Sequence, residues 1–225
     1  MRRSSLLLIL PLWLAGSLAV GRPAAAQQVY KVDPAASHIQ WLVFKAGPLA
    51  RLGHNHVISA PEFSGTVTVN RADVSDSRFE LEIPVASLVI DDPALRSELG
   101  EDFSSVPSEN DIAGTRKNML SEQLLDGEHY PVLKLSGVGP VGEPGKQTMH
   151  VTVELVGHSV ELDLPTTVVV DDRGVEARGE FDLTHAELGL KHFSIMGGAL
   201  QVAEKMSFSY RIRADQTGEA AAGSR

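Results

Sequence analysis

The 225-residue sequence contains no cysteine. That excludes disulfides, thiolate nucleophiles and thiolate-held metals, and it excludes a lipid anchor on an N-terminal cysteine. Basic residues are in the minority, 20 Lys and Arg against 29 Asp and Glu, for a formal charge of −9. An acidic chain repels nucleic acid and anionic membrane surfaces, so neither is expected as a partner. Aromatic residues are scarce, 5% of the chain with two tryptophans, so where they stand marks the interior. No G-x-S-x-G stretch or comparable nucleophile motif occurs, and an enzyme is not expected.

Long apolar runs are also lacking, with one exception. Arg2 and Arg3 precede an apolar run from Leu6 to Val20, and Ala24-Ala25-Ala26 follow it. A basic start, an apolar centre and small residues read as a secretory signal peptide over residues 1–26, leaving a mature chain from Gln27. The run is short for a membrane span and Pro11 interrupts it, so stable membrane insertion is not expected. Loss of Arg2, Arg3 and Arg22 with no acid takes the formal charge from −9 to −12. The remainder is long enough for one domain with a sizeable core.

What is present is a period of two. In FSGTVTVN, Phe63, Gly65, Val67 and Val69 share one face and Ser64, Thr66, Thr68 and Asn70 the other. RFELEIPV sets Phe79, Leu81, Ile83 and Val85 against Arg78, Glu80 and Glu82. The same alternation recurs at Met149–Leu155, Val175–Leu183 and Met206–Arg213, the mark of strands with one dry and one wet face. HIQWLVFK (His38–Lys45), YPVLKLSG and VELDLPTTVVV complete eight strands; Val156–Val160 and Asp171–Gly174 read as hairpin turns. The alternation stops between Pro93 and Asp126, where a capping start at Ser108 and Asp111 opens a helix expected over about 109–125. A shorter helix or loop is expected before it, at 93–103. Residues 215–225 are small and polar and are expected to be a disordered tail.

Eight antiparallel strands with an uncharged inner face predict a mainly β fold closed into a barrel, with a helical insert between the third and fourth strands; a two-sheet sandwich is the alternative. The inward set is Ile39, Trp41, Val43, Phe63, Val67, Phe79, Leu81, Ile83, Leu133, Val151, Val153, Phe181, Phe208 and Tyr210. It serves equally as a packed core or as the lining of an apolar cavity.

Several pieces then fall in a familiar order: YKVDPAASHIQWLVFKAG, FSGTVTVN, TRKNMLSEQLLDGEHYPVLKLSG and ARGEFDLTHAELGL. From Val29 to Ala214 the chain resembles the YceI-like family of lipid- or polyisoprenoid-binding exported proteins. The resemblance implies an eight-stranded lipocalin-like barrel over residues 27–214, holding a long isoprenoid or other apolar molecule with its polar or pyrophosphate head near the mouth. It implies a carrier in the periplasm, without a cofactor; the oligomeric state is left open. The chain departs from the family pattern at ARLGHNHVISAP and at TRKNML, where a histidine is missing.

The head-group candidates are Arg116, Lys191, His54 and His56, since a phosphate wants a guanidinium or ammonium partner. The alternative for the histidines is a Zn or Cu site of His54, His56 and His192, with His38 a weaker third ligand. Asp91, Asp92, Glu98, Glu101 and Asp102 lack the spacing of a calcium loop and are expected to be a solvated face.

Overall fold

The computed structural model describes residues 27–216. The expected signal segment, and the tail from 217 onward, lie outside the described residues. The strands are β1 (Gln27–Val32), β2 (His38–Ala46), β3 (His56–Ser59), β4 (Ser64–Asn70), β5 (Arg78–Pro84), β6 (Val89–Ile90), β7 (Val132–Glu143), β8 (Lys146–Leu155), β9 (His158–Val170), β10 (Gly174–Thr184), β11 (Ser194–Ile195) and β12 (Leu200–Gln216). Two helices, α1 (Pro93–Glu98) and α2 (Glu109–Met119), lie between β6 and β7.

The eight strands β1, β4, β5, β7, β8, β9, β10 and β12 pair in that order, and β12 pairs back onto β1, closing an antiparallel barrel. The sandwich alternative is thereby set aside. Closure depends on the length of β12. Its last residues pair with β1 (Val32 opposite Ala214), while Gln201–Arg211 pair with β2. At that end the wall continues through β2, β3 and β6, and α2 packs beside β6 with Ile112, Met119 and Leu120 turned into the core.

The turns follow local chemistry. Val156 and Gly157 join β8 to β9 with φ of 49° and 76°, the two positive values a tight two-residue hairpin requires. Asp171 accepts from the Arg173 and Gly174 N–H groups at 2.8 and 2.7 Å, fixing the β9–β10 turn. Ser108 and Asp111 form the expected capping box.

Three expectations are corrected. A strand, β1, precedes the first one expected; Asp33 and Pro34 break it from β2. α2 ends at Met119, not near 125, because Ser121–Asp126 fold into successive turns with Asp126 at φ 44°. The expected tail begins too early, since Asp215 and Gln216 remain in β12 opposite Lys31 and Tyr30.

The inner face carries the dry side of every alternation. One end is filled by Tyr30, Val32, Val69, Val175, Ile212 and Ala214, all buried. Outside it, Arg213 bridges Asp171 and Asp215. Towards the other end Val153, Leu155, Leu164, Leu183, Leu188 and Met206 form a second buried cluster. Between them the inward side chains are only partly buried although they face inside: Trp41, Val43, Phe79, Leu133, Leu135, Phe181 and Phe208. The middle of the barrel is hollow.

Candidate functional site

The hollow is a cavity of about 410 Å³, within the range of small-molecule sites. Its wall is overwhelmingly apolar. β2 contributes Ile39, Trp41 and Val43; β4, Val67; β5, Phe79, Leu81 and Ile83; β7, Leu133 and Leu135; β8, Val151 and Val153; β10, Phe181; β12, Phe208 and Tyr210. Of the inward set read from the sequence, Phe63 is the exception. It precedes β4 and is buried in the core cluster beside Ile58, Ala60 and Leu88, away from the cavity wall.

The aromatics are ordered across the strands. Trp41 stacks on Phe208 at 6.0 Å, and Phe208 on Phe181 at 5.5 Å with the rings 9° apart, cross-strand pairs on one face of β2, β12 and β10. Tyr210 leans on Phe181 and donates its hydroxyl to Thr166 Oγ1 at 2.8 Å, and burial pushes its phenol up from the ordinary value. Phe79 finds room because its cross-strand neighbour on β7 is glycine. A Cβ on Gly137 would stand 2.3 Å from the Phe79 ring.

Polar side chains interrupt the wall at a few places, among them His185 and Gln201, and one such place brings two histidines against α2. His54 and His56, at the start of β3, lie with ring centroids 6.3 Å apart. Thr115 and Asn118, one turn apart on α2, join them on the wall, and Thr115 Oγ1 is 3.5 Å from His56 Nε2. Behind His56 is a buried network that sequence reasoning did not find. Asp91, its side chain 0% exposed, takes His56 Nδ1 at 2.6 Å and the Arg96 guanidinium at 2.5 Å. It also accepts from the Val57 N–H at 3.1 Å. Burial pushes the Asp91 carboxyl up, but the hydrogen bond and charge of His56, with Val57 and Arg96, outweigh it and hold the group below the ordinary carboxylate value.

Arg96 is itself buried, its nitrogens donating to the carbonyls of Asn55, Phe103 and Ser105 while its plane covers Phe103. Phe103 in turn packs edge-on against Phe44, which explains why β2 is apolar on both faces. The expectation of a solvated acidic face therefore fails at Asp91. It also needs amending at Asp92, which caps α1 through the Ala94 and Leu95 N–H groups, while Glu98, Glu101 and Asp102 are exposed. The legible trace was Asp92-Pro93, a helix start that places Arg96 one turn behind the Asp91 corner.

The other head-group candidates lie elsewhere. Arg116 faces away from the cavity and donates to the carbonyls of Leu88, at 2.6 Å, and Ala86, tying α2 to the wall. Lys191 is exposed and off the cavity wall. His192 binds the Val202 carbonyl at 2.5 Å and stacks edge-on with His185. His38 stands at the opposite end of β2, across from Arg211. Among the described residues no three His, Cys, Asp or Glu side chains converge as metal ligands, because Asp91 occupies His56 Nδ1 and His192 is held apart. No helix among them is long and apolar enough to cross a membrane.

Comparison with known proteins agrees with this architecture. No curated protein matches by sequence. Among solved structures, BcnA of Burkholderia cenocepacia superposes with a TM-score of 0.58 at 13% identity, over 81% of this chain and 99% of that one. A polyisoprenoid-binding domain from Saccharophagus degradans, implicated in plant cell wall breakdown, gives 0.54 at 12% identity over 84% and 98%. The YceI protein of Campylobacter jejuni gives 0.50 at 9% identity over 71% and 84%. At such identities the likeness is one of fold. The YceI-like domain pattern, however, matches residues 30–214, nearly the whole barrel, and on that span the chain belongs to the YceI-like family.

Proposed function

We propose that the protein is a non-catalytic carrier, exported to the periplasm, that encloses one long apolar molecule of isoprenoid type. The observation that carries this reading is the hollow itself, a closed barrel left unfilled in the middle, with an apolar cavity of about 410 Å³. An empty apolar hollow forfeits contact energy on every wall atom, and an apolar chain restores it. The kinship with a polyisoprenoid-binding domain of the same fold supports the choice of chain. Each buried methylene contributes about 0.8 kcal/mol. About ten of them give a gross gain of about 8 kcal/mol, the equivalent of a micromolar dissociation constant before the cost of ordering the chain.

Trp41, stacked on the wall, reports occupancy. Titration with isoprenoid chains of increasing length is expected to change its fluorescence saturably, with affinity rising until the cavity is full and then levelling. Absence of a saturable change with any apolar chain contradicts the reading.

A further inference from the structure

We infer that the cavity selects a chain ending in an uncharged hydrogen-bond donor, a primary alcohol, over the same chain ending in a diphosphate, and that His56 Nε2 is the acceptor. This rests on the enclosure of an apolar chain proposed above.

The geometry fixes what His56 offers. Its Nδ1 is 2.6 Å from Asp91, whose other oxygen is held by Arg96 and the Val57 N–H. A carboxylate so placed accepts, so in the neutral ring the proton stands on Nδ1 and Nε2 keeps its lone pair. Nε2 faces the cavity, and the Thr115 hydroxyl at 3.5 Å is too distant to use that lone pair well. On this stretch of wall that lone pair is satisfied by a ligand that brings a donor. Asn118, one turn along α2 on the same wall, supplies an amide to the alcohol oxygen.

The surroundings disfavour an anion. Arg96 is spent on Asp91 and three carbonyls, and Arg116 on two carbonyls facing away. The lysine and arginine on the cavity wall are Lys45, whose ammonium is exposed and bonded to the Gly53 carbonyl at 3.0 Å, and Arg78, exposed at the other end of the barrel. A diphosphate would lose its water without gaining a guanidinium or a free ammonium as partner.

The test uses three C20 probes of one chain: geranylgeraniol, geranylgeranyl diphosphate and the headless hydrocarbon, each titrated by Trp41 fluorescence into the mature protein, the His56→Leu variant and the Asn118→Ala variant. The alcohol is expected to bind at least about tenfold tighter than the diphosphate. His56→Leu is expected to weaken the alcohol about fivefold, the value of one hydrogen bond, and to leave the hydrocarbon unchanged, which also shows that the barrel is intact. Asn118→Ala is expected to act in the same direction. A diphosphate that binds tighter than the alcohol, or an alcohol indifferent to both substitutions, overturns the inference and leaves the enclosure standing. Failure of all three probes to bind overturns the enclosure.

Discussion

Ile90 on β6 and Leu135 on β7 are both apolar side chains packed with the core, and truncating each to alanine separates a filled interior from a hollow one. Ile90 is 6% exposed in the packed core cluster and off the cavity wall, whereas Leu135 is partly buried on that wall. Each substitution removes three carbons, worth about 2.4 kcal/mol when fully buried. At Ile90 the space left behind adds a cavity term of about 1 kcal/mol, for a total of about 3–4 kcal/mol. At Leu135 no new cavity forms. The existing one widens, and a half-buried side chain loses only about half the transfer energy, so the cost is about 1 kcal/mol. Urea denaturation measures both, with the slope checked for two-state behaviour. The same Leu135→Ala change is expected to weaken an apolar ligand several-fold. A cost at Leu135 matching that at Ile90 would mean that the barrel is packed there, and the reasoning from hollow to ligand would collapse.

Three further outcomes are expected. Gly137→Ala places a Cβ 2.3 Å from Phe79 and 2.7 Å from the His150 carbonyl, and should destabilise by about 1–3 kcal/mol through overpacking, measured in the same denaturant; a neutral result refutes the tight seating of Phe79. Arg96→Leu leaves the buried Asp91 without its paired guanidinium and should cost about 3–5 kcal/mol; a loss below about 1 kcal/mol, the range of an exposed pair, would contradict the network. Asp171 has its carboxyl depressed to about 2, first by Arg213 and then by the Gly174 and Arg173 N–H groups. A depressed carboxylate stabilises fully above its unfolded value and loses that contribution as pH falls through the folded value. Asp171→Asn should therefore lower Tm at neutral pH, with the gap closing between about pH 4 and pH 2; a gap that persists at the acid end refutes the assignment.

The barrel was legible because a strand's two faces meet different solvents, and alternation such as Phe79-Leu81-Ile83 against Arg78-Glu80-Glu82 records that difference directly. The helical insert was legible from the loss of that period and from the Ser108–Asp111 box. What escaped had no period. β1 is six residues cut off by Asp33-Pro34, too short to stand out beside the longer runs. The Asp91–Arg96–His56 network joins a corner residue with φ of 57°, a one-turn partner and a strand 35 positions away, and no spacing rule links the three. Arg116 sits on the expected helix, but only the pitch of α2 on the wall decides that it faces Leu88 and Ala86 rather than the cavity. The composition of the inner face could not distinguish lining from filling. That difference depends on barrel diameter, which the pairing sets and the residue types do not.

Native mass spectrometry of the mature protein, purified gently from an exported fraction, goes to the heart of the matter. The expected spectrum shows the chain carrying one adduct of several hundred daltons, released by organic solvent and untouched by a chelator. A chain that emerges bare and takes up no added apolar molecule, or one that carries only a chelatable metal ion, would contradict enclosure of an apolar ligand.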